Sequence, residues 1–138
     1  MMGPRRNKKI ISSHFPASFA ILLILSSCIN SADKTAREIH EMLLRPEEHG
    51  GVIIVDIRNQ TKYRDGHIRG AINIPVESKN FEERLSLLDK QSELVIYCGT
   101  GIKTDKAAGT ASRAGFKKVH ALQGGVKAWE EAGYALER

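Results

Sequence analysis

Cys98 is where the sequence concentrates its chemistry. It closes the apolar run Leu94-Val95-Ile96-Tyr97 and opens a short loop, Gly99-Thr100-Gly101-Ile102-Lys103, that leads directly into a helix-forming stretch. A glycine-containing turn can aim successive backbone N–H groups inward, and the N-terminus of a following helix adds about half a positive charge. A thiol held there ionises below its ordinary pKa of about 8.5, and the thiolate is the nucleophile. A lone cysteine in a strand is more commonly buried and inert. Here two glycines and a lysine directly after the thiol, at a strand-to-helix junction, favour a reactive group. The expected site is therefore Cys98 as nucleophile, the amides of Gly99, Thr100, Gly101, Ile102 and Lys103 as anion cradle, and the Lys103 amine as nearest cation.

Spacing removes two phosphate-binding alternatives. A Walker loop needs Gly directly before Lys-Ser/Thr, and Ile102 separates Gly101 from Lys103-Thr104. A cysteine phosphatase needs Arg six places after the nucleophile, where this chain has Thr104. Asp56, at the end of the run Val52-Ile53-Ile54-Val55, is read as an exposed carboxylate capping a neighbouring loop rather than as a catalytic group. Arg58 either steers anions or pairs with a carboxylate. His40, His49 and His120 lack metal-ligand spacing, so neither a metal nor a cofactor is expected.

The elements that must position Cys98 follow from periodicity. Ser31-Ala32-Asp33 supplies helix-start chemistry, and Ile39, Met42 and Leu43 recur at helical spacing until Pro46 forbids continuation. Val52–Val55 reads as a strand buried on both faces, and a polar loop follows. Ala71–Ile74 is a short strand stopped by Pro75, and Phe81, Leu85 and Leu88 mark a helix. Leu94–Tyr97 is a third strand. Thr104 caps a helix whose Ala107, Ala108 and Ala111 form a small-residue face able to lie close to a sheet. Val119–Leu122 is a further strand, and a last helix around Ala128, Trp129 and Ala132 stops at Gly133. Strands alternating with helices imply an α/β domain with a mostly parallel central sheet covered by helices on both faces. Ligands of such sheets gather beyond the C-terminal ends of the strands, where Asp56 and Cys98 both fall.

Composition bounds the class. In 138 residues, 12 Gly, 4 Pro and 2 Cys exclude a collagen-like, mucin-like or disulfide-scaffold protein, and 41% hydrophobic residues exclude general disorder. The net charge of +5 hints at nucleic acid until it is partitioned along the chain. Arg5, Arg6, Lys8 and Lys9 carry most of the excess, and after Cys28 the longest basic run is Lys117-Lys118. Without a clustered basic footprint, no nucleic-acid partner is expected.

The four N-terminal cations precede the apolar stretch Phe19–Leu25 and then Ser26-Ser27-Cys28. This is the order of a secretory signal, and the run is too short to cross a bilayer, which takes about 20 apolar residues. Leu25-Ser26-Ser27-Cys28 resembles the bacterial lipobox, which implies removal of residues 1–27, acylation of Cys28 and a single mature domain over 28–138. The expected location is the cell envelope, facing the periplasm, with membrane contact only through the lipid.

Taken in order, the motifs resemble the rhodanese-like domain family over nearly all of residues 31–135. Val55-Asp56-Ile57-Arg58 is similar to its first signature, and Tyr63 with Gly66-His67-Ile68-Arg69-Gly70-Ala71-Ile72-Asn73-Ile74-Pro75 to its second. Tyr97-Cys98 with Gly101 resembles the active-site loop, and Leu122-Gln123-Gly124-Gly125 with Trp129 and Gly133 the C-terminal signature. The resemblance implies a sulfurtransferase that takes sulfane sulfur from an anionic donor such as thiosulfate as a persulfide on Cys98. It then passes the sulfur to cyanide or a thiol. The loop Cys98–Lys103 has the length of the sulfur-transferring members, one residue shorter than in phosphatase and arsenate reductase relatives. His67 becomes a structural turn residue. Two departures stand out: Gly99 and Lys103 occupy places where many members have Arg, and lysine lacks the bidentate fork. The start Cys98-Gly99-Thr100-Gly101 is similar to that of mercaptopyruvate sulfurtransferases, a minor option for the donor. A persulfide-carrying module with little turnover and a small-oxyanion phosphatase or reductase are the rival readings.

Overall fold

The structure, a computed structural model, describes residues 30–138. The expected signal segment and the Cys28 lipidation site lie outside the described residues. Five parallel strands, β1 (Asn30–Lys34), β2 (Val52–Asp56), β3 (Ile72–Asn73), β4 (Glu93–Tyr97) and β5 (Lys118–Leu122), form one sheet in the order β1-β5-β4-β2-β3. Among the described residues five α-helices accompany them, α1 (Ala36–Leu44), α2 (Gln60–Asp65), α3 (Phe81–Ser86), α4 (Thr104–Arg113) and α5 (Gly125–Glu131), with a short 3-10 helix at Pro46–His49.

The side chains of the central strands alternate between two apolar cores. On one face Val55, Leu94 and Ile96 pack with Phe81 and Leu85 of α3 and Ala107, Ala108 and Ala111 of α4. On the other, Ile54, Val95, Tyr97 and Leu122 meet Ala36, Ile39 and Met42 of α1 and Val126 and Trp129 of α5. Every residue of β4 is buried, as a central parallel strand covered on both faces requires. The small alanine face lets α4 approach the sheet closely, which holds its N-terminus at the end of β4.

Three expectations are corrected. Residues 31–33 begin no helix; they belong to β1, which pairs with β5, and Thr35 is the cap of α1 in a reciprocal capping box with Glu38. The segment is polar, so its strand character comes from pairing along β5 and not from its own pattern. The polar loop after β2 contains α2, capped by Asn59, whose side chain accepts from the Lys62 amide at 2.9 Å. Tyr63 is its one large apolar residue, too little to produce periodicity. Thr104 is the first residue of α4 and not its cap, because Lys103 holds that position without a side-chain hydrogen bond.

Candidate active site

The C-terminal ends of β2 and β4 lie side by side, with Asp56 opposite Tyr97 in the register. Each strand is followed by a tight loop, and the two loops face one another across a cavity of about 540 Å³. Cys98, 5% exposed, forms part of its floor. Around the thiol stand Gly99, Thr100, Ile102 and Lys103 from its own loop, Ile57, Arg58, Asn59 and Lys62 from the segment after β2, Pro75 and Glu77, and Val126.

The loop curls around the sulfur. The Gly101 amide donates to Cys98 Sγ at 3.1 Å, and Thr104 Oγ1 stands 3.6 Å from the same atom. Burial works against ionisation, but hydrogen bonds from the Thr104 hydroxyl and the amides of Lys103, Thr100 and Gly101 outweigh it and leave the thiol below its ordinary pKa. Of the five loop amides expected to form the cradle, that of Gly101 hydrogen-bonds to the sulfur, and those of Thr100 and Lys103 add to the stabilisation of its charged form. Thr104 Oγ1 also lies 2.7 Å from the Gly101 carbonyl, so its single proton is shared between that oxygen and the sulfur and ties the loop closed at the helix. Gly101 has φ +91, and a Cβ there would lie 3.2 Å from the Gly124 amide nitrogen. Ile102, 84% exposed, projects from the loop tip.

A second loop seats the first. The amides at the start of α5 hold the backbone at the thiol, Val126 N–H donating to the Cys98 carbonyl at 2.8 Å and Lys127 N–H to that of Gly99 at 3.2 Å. The Gly124-Gly125 pair that permits this approach, the inward hydroxyl of Thr104, and Lys62 and Glu77 at the cavity wall were not singled out as site residues from sequence. Only the glycine pair left a readable signal.

Asp56 is a correction. It is fully buried and not exposed. Its carboxylate receives Arg58 through Nε at 3.0 Å and Nη2 at 2.6 Å, and caps the Arg58 backbone amide at 2.9 Å. Arg58 Nη2 also donates to the Gly66 carbonyl. A buried carboxylate beside a guanidinium is stable only when paired, and the fork satisfies both groups. Arg58 reaches the cavity wall, but its charge is committed to Asp56. Asn73 fastens the same loop, donating to the carbonyls of Asp56 and Arg58 at 3.0 and 2.9 Å.

Lys103 is likewise engaged, its amine 2.5 Å from Glu77 Oε1. His67 lies outside the cavity lining; its Nδ1 meets the Tyr63 carbonyl at 3.0 Å, its ring stacks on Tyr63, and its backbone pairs with Glu137. At the opposite end of the sheet His49, Lys118 and His120 converge on Glu93, at 3.2, 2.8 and 2.6 Å, a meeting that linear spacing did not suggest.

A parallel sheet with a cysteine-initiated, glycine-containing loop at the end of a central strand defines an α/β domain whose candidate site lies at the C-terminal edge of the sheet. The chain belongs to the rhodanese-like domain family, which it matches over residues 35–132. Among curated relatives it is 35% identical over 97 residues to the tRNA uridine(34) hydroxylase of Hamiltonella defensa, covering 66% of this chain and 26% of that protein. To the same-named protein of Buchnera aphidicola it is 34% identical, covering 67% and 30%. The chain therefore spans less than a third of the length of these relatives. Among solved structures it resembles the Alr3790 protein from Anabaena sp., with TM-score 0.66, 31% identity and 75% and 81% coverage of the two chains. It is also similar to a rhodanese-like domain protein from Staphylococcus aureus, with TM-score 0.63, 27% identity and coverage of 77% and 96%.

Proposed function

We propose that this protein is a sulfurtransferase of the thiosulfate sulfurtransferase type, working through a persulfide on Cys98. The observation that carries the reading is the thiol itself. It is depressed in pKa and faces loop amides and the Thr104 hydroxyl, on the floor of a cavity of about 540 Å³.

The Cys98 thiolate attacks the outer sulfur of thiosulfate. The S–S bond of the donor breaks and sulfite leaves with the electron pair, so Cys98 carries one added sulfur. The amides that hold the thiolate lie near the persulfide anion that replaces it, and preorganised donors of this kind stabilise developing charge without reorganisation. Cyanide or a thiolate then takes the terminal sulfur and Cys98 returns to the thiolate. The two half-reactions make a ping-pong cycle. Among the described residues Cys98 has no second thiol, and in this reading the acceptor is external.

One feature weighs against the phosphatase reading. The position six after Cys98 is Thr104, turned into the loop, where a phosphatase needs a guanidinium. A carrier module would load sulfur once and turn over poorly. The near-neutral charge after Cys28 supports no nucleic-acid partner, and the N-terminal pattern supports export to the envelope with a lipid on Cys28.

Intact-mass spectrometry of the purified protein before and after thiosulfate, and again after cyanide, tests the reading. The expected record is gain of one sulfur on Cys98, its loss with release of thiocyanate, and repeated cycles. Absence of any sulfur gain would overturn the assignment, and loading without turnover would favour the carrier. The same spectrum of protein from an exporting bacterium reports whether Cys28 is the acylated N-terminus.

A further inference from the structure

We propose that Glu77 sets the donor selectivity of the Cys98 site, disfavouring doubly charged donors relative to singly charged ones. The inference rests on the reading of Cys98 as the sulfur-accepting nucleophile and extends it to the class of donor.

Three cations and one carboxylate line the cavity among the described residues: Arg58, Lys62, Lys103 and Glu77. Their availability differs sharply. Arg58 is held by the buried Asp56 and the Gly66 carbonyl. Lys103, at the end of the thiol loop, is held by Glu77, which arrives from the segment after β3 on the other side of the opening. Lys62 is the least engaged, 4.0 Å from Asp65. An anion approaching Cys98 thus meets a carboxylate already in possession of the nearest loop cation. It must share Lys103 with Glu77 or displace it, and the repulsion it feels from Glu77 grows with its own charge.

The other walls point the same way. Ile57, Pro75, Ile102 and Val126 give the cavity an apolar lining. Against them the third sulfonate oxygen of thiosulfate would lose water without gaining a polar partner, whereas a methyl group in its place buries well. A monoanionic alkanethiosulfonate combines both advantages. Its reaction balances as for thiosulfate: the Cys98 thiolate attacks the outer sulfur, the S–S bond breaks, and a sulfinate leaves with the electron pair.

The test compares thiosulfate with methanethiosulfonate, donors of similar shape and different charge, using cyanide as acceptor. Glu77 and Lys103 are 76% and 60% exposed, so solvent limits the effect to less than about tenfold. Glu77→Gln is expected to raise kcat/KM for thiosulfate about three- to tenfold and for methanethiosulfonate by a clearly smaller factor. Raising ionic strength should narrow the gap between donors in the parent protein more than in the variant. An exposed side chain at a loop is safe to alter, and an unchanged melting curve for the variant checks this. Equal factors for the two donors, or none for either, would overturn the role of Glu77. Failure of the parent protein to accept sulfur from both donors would instead overturn the sulfurtransferase reading, and the proposal with it.

Discussion

Gly125 lies so close to Cys98 that a Cβ on it would stand 2.4 Å from the Cys98 carbonyl oxygen. The first turn of α5 is therefore pressed against the backbone that carries the nucleophile, and its amides hold the carbonyls of Cys98 and Gly99. No side chain fits there, and φ +63 at Gly125 adds backbone strain for any substitute. Gly125→Ala should push the thiol loop out of place. The expected result is loss of sulfur transfer by at least about a hundredfold, since small displacements of a reacting group cost this much. Steady-state kinetics on the folded fraction checks it.

Replacing the nucleophile is the direct test of chemistry. Cys98→Ser should abolish sulfur transfer and the persulfide mass while leaving the thermal unfolding transition close to that of the parent, because the volume change is small. Retained thiosulfate-dependent thiocyanate formation would contradict the assigned role.

Thr104 contributes to the low pKa of the thiol through its hydroxyl. Thr104→Val keeps the shape and removes the hydrogen bond, so the Cys98 pKa should rise. The alkylation rate by iodoacetamide, followed across pH, should therefore show its midpoint at higher pH in the variant. An identical profile would mean that the amides alone hold the thiolate.

The Asp56–Arg58 pair predicts a stability effect. Arg58→Ala leaves a fully buried carboxylate without its guanidinium, a change that costs about 3–5 kcal/mol. For a domain of this size the melting temperature should fall on the order of 10–20 °C. Calorimetry reports it. Asp56→Asn should cost less, because it removes the buried charge and keeps the shape.

Glu93 predicts the acid limb of stability. Burial opposes its charge, but Lys118, His120 and His49 more than compensate and hold the folded-state pKa at about 2, against an ordinary value of 4.5. A carboxyl depressed in this way stabilises the fold fully above pH 4.5, and its contribution fades as pH falls from there toward about 2. Glu93→Gln should lower stability at neutral pH by about 2–3 kcal/mol and flatten the dependence across that window. Urea unfolding at a series of pH values reads both.

Much of this architecture was legible because burial writes itself into residue type. Val52–Val55 and Leu94–Tyr97 are continuous apolar runs because central parallel strands are covered on both faces, and the cysteine with its glycines at the end of the second run located the loop. The family signatures extended that reading from Asp56 to Gly133. What stayed hidden depends on partners distant in the chain. The strand at 30–34 exists because β5 offers it an edge, and α2 is held by a cap and one tyrosine. Asp56 could not be known as buried until Arg58 folded back onto it. The meeting of Glu77 with Lys103, and of Glu93 with His49, Lys118 and His120, joins residues far apart in sequence whose types alone imply only solvated charge. Local pattern thus determined the central strands, the larger helices beside them and the thiol loop, because hydrophobic periodicity and turn chemistry act over a few residues. Tertiary structure decided which charges face the thiol and which are neutralised, because electrostatic partnership depends on distance in space.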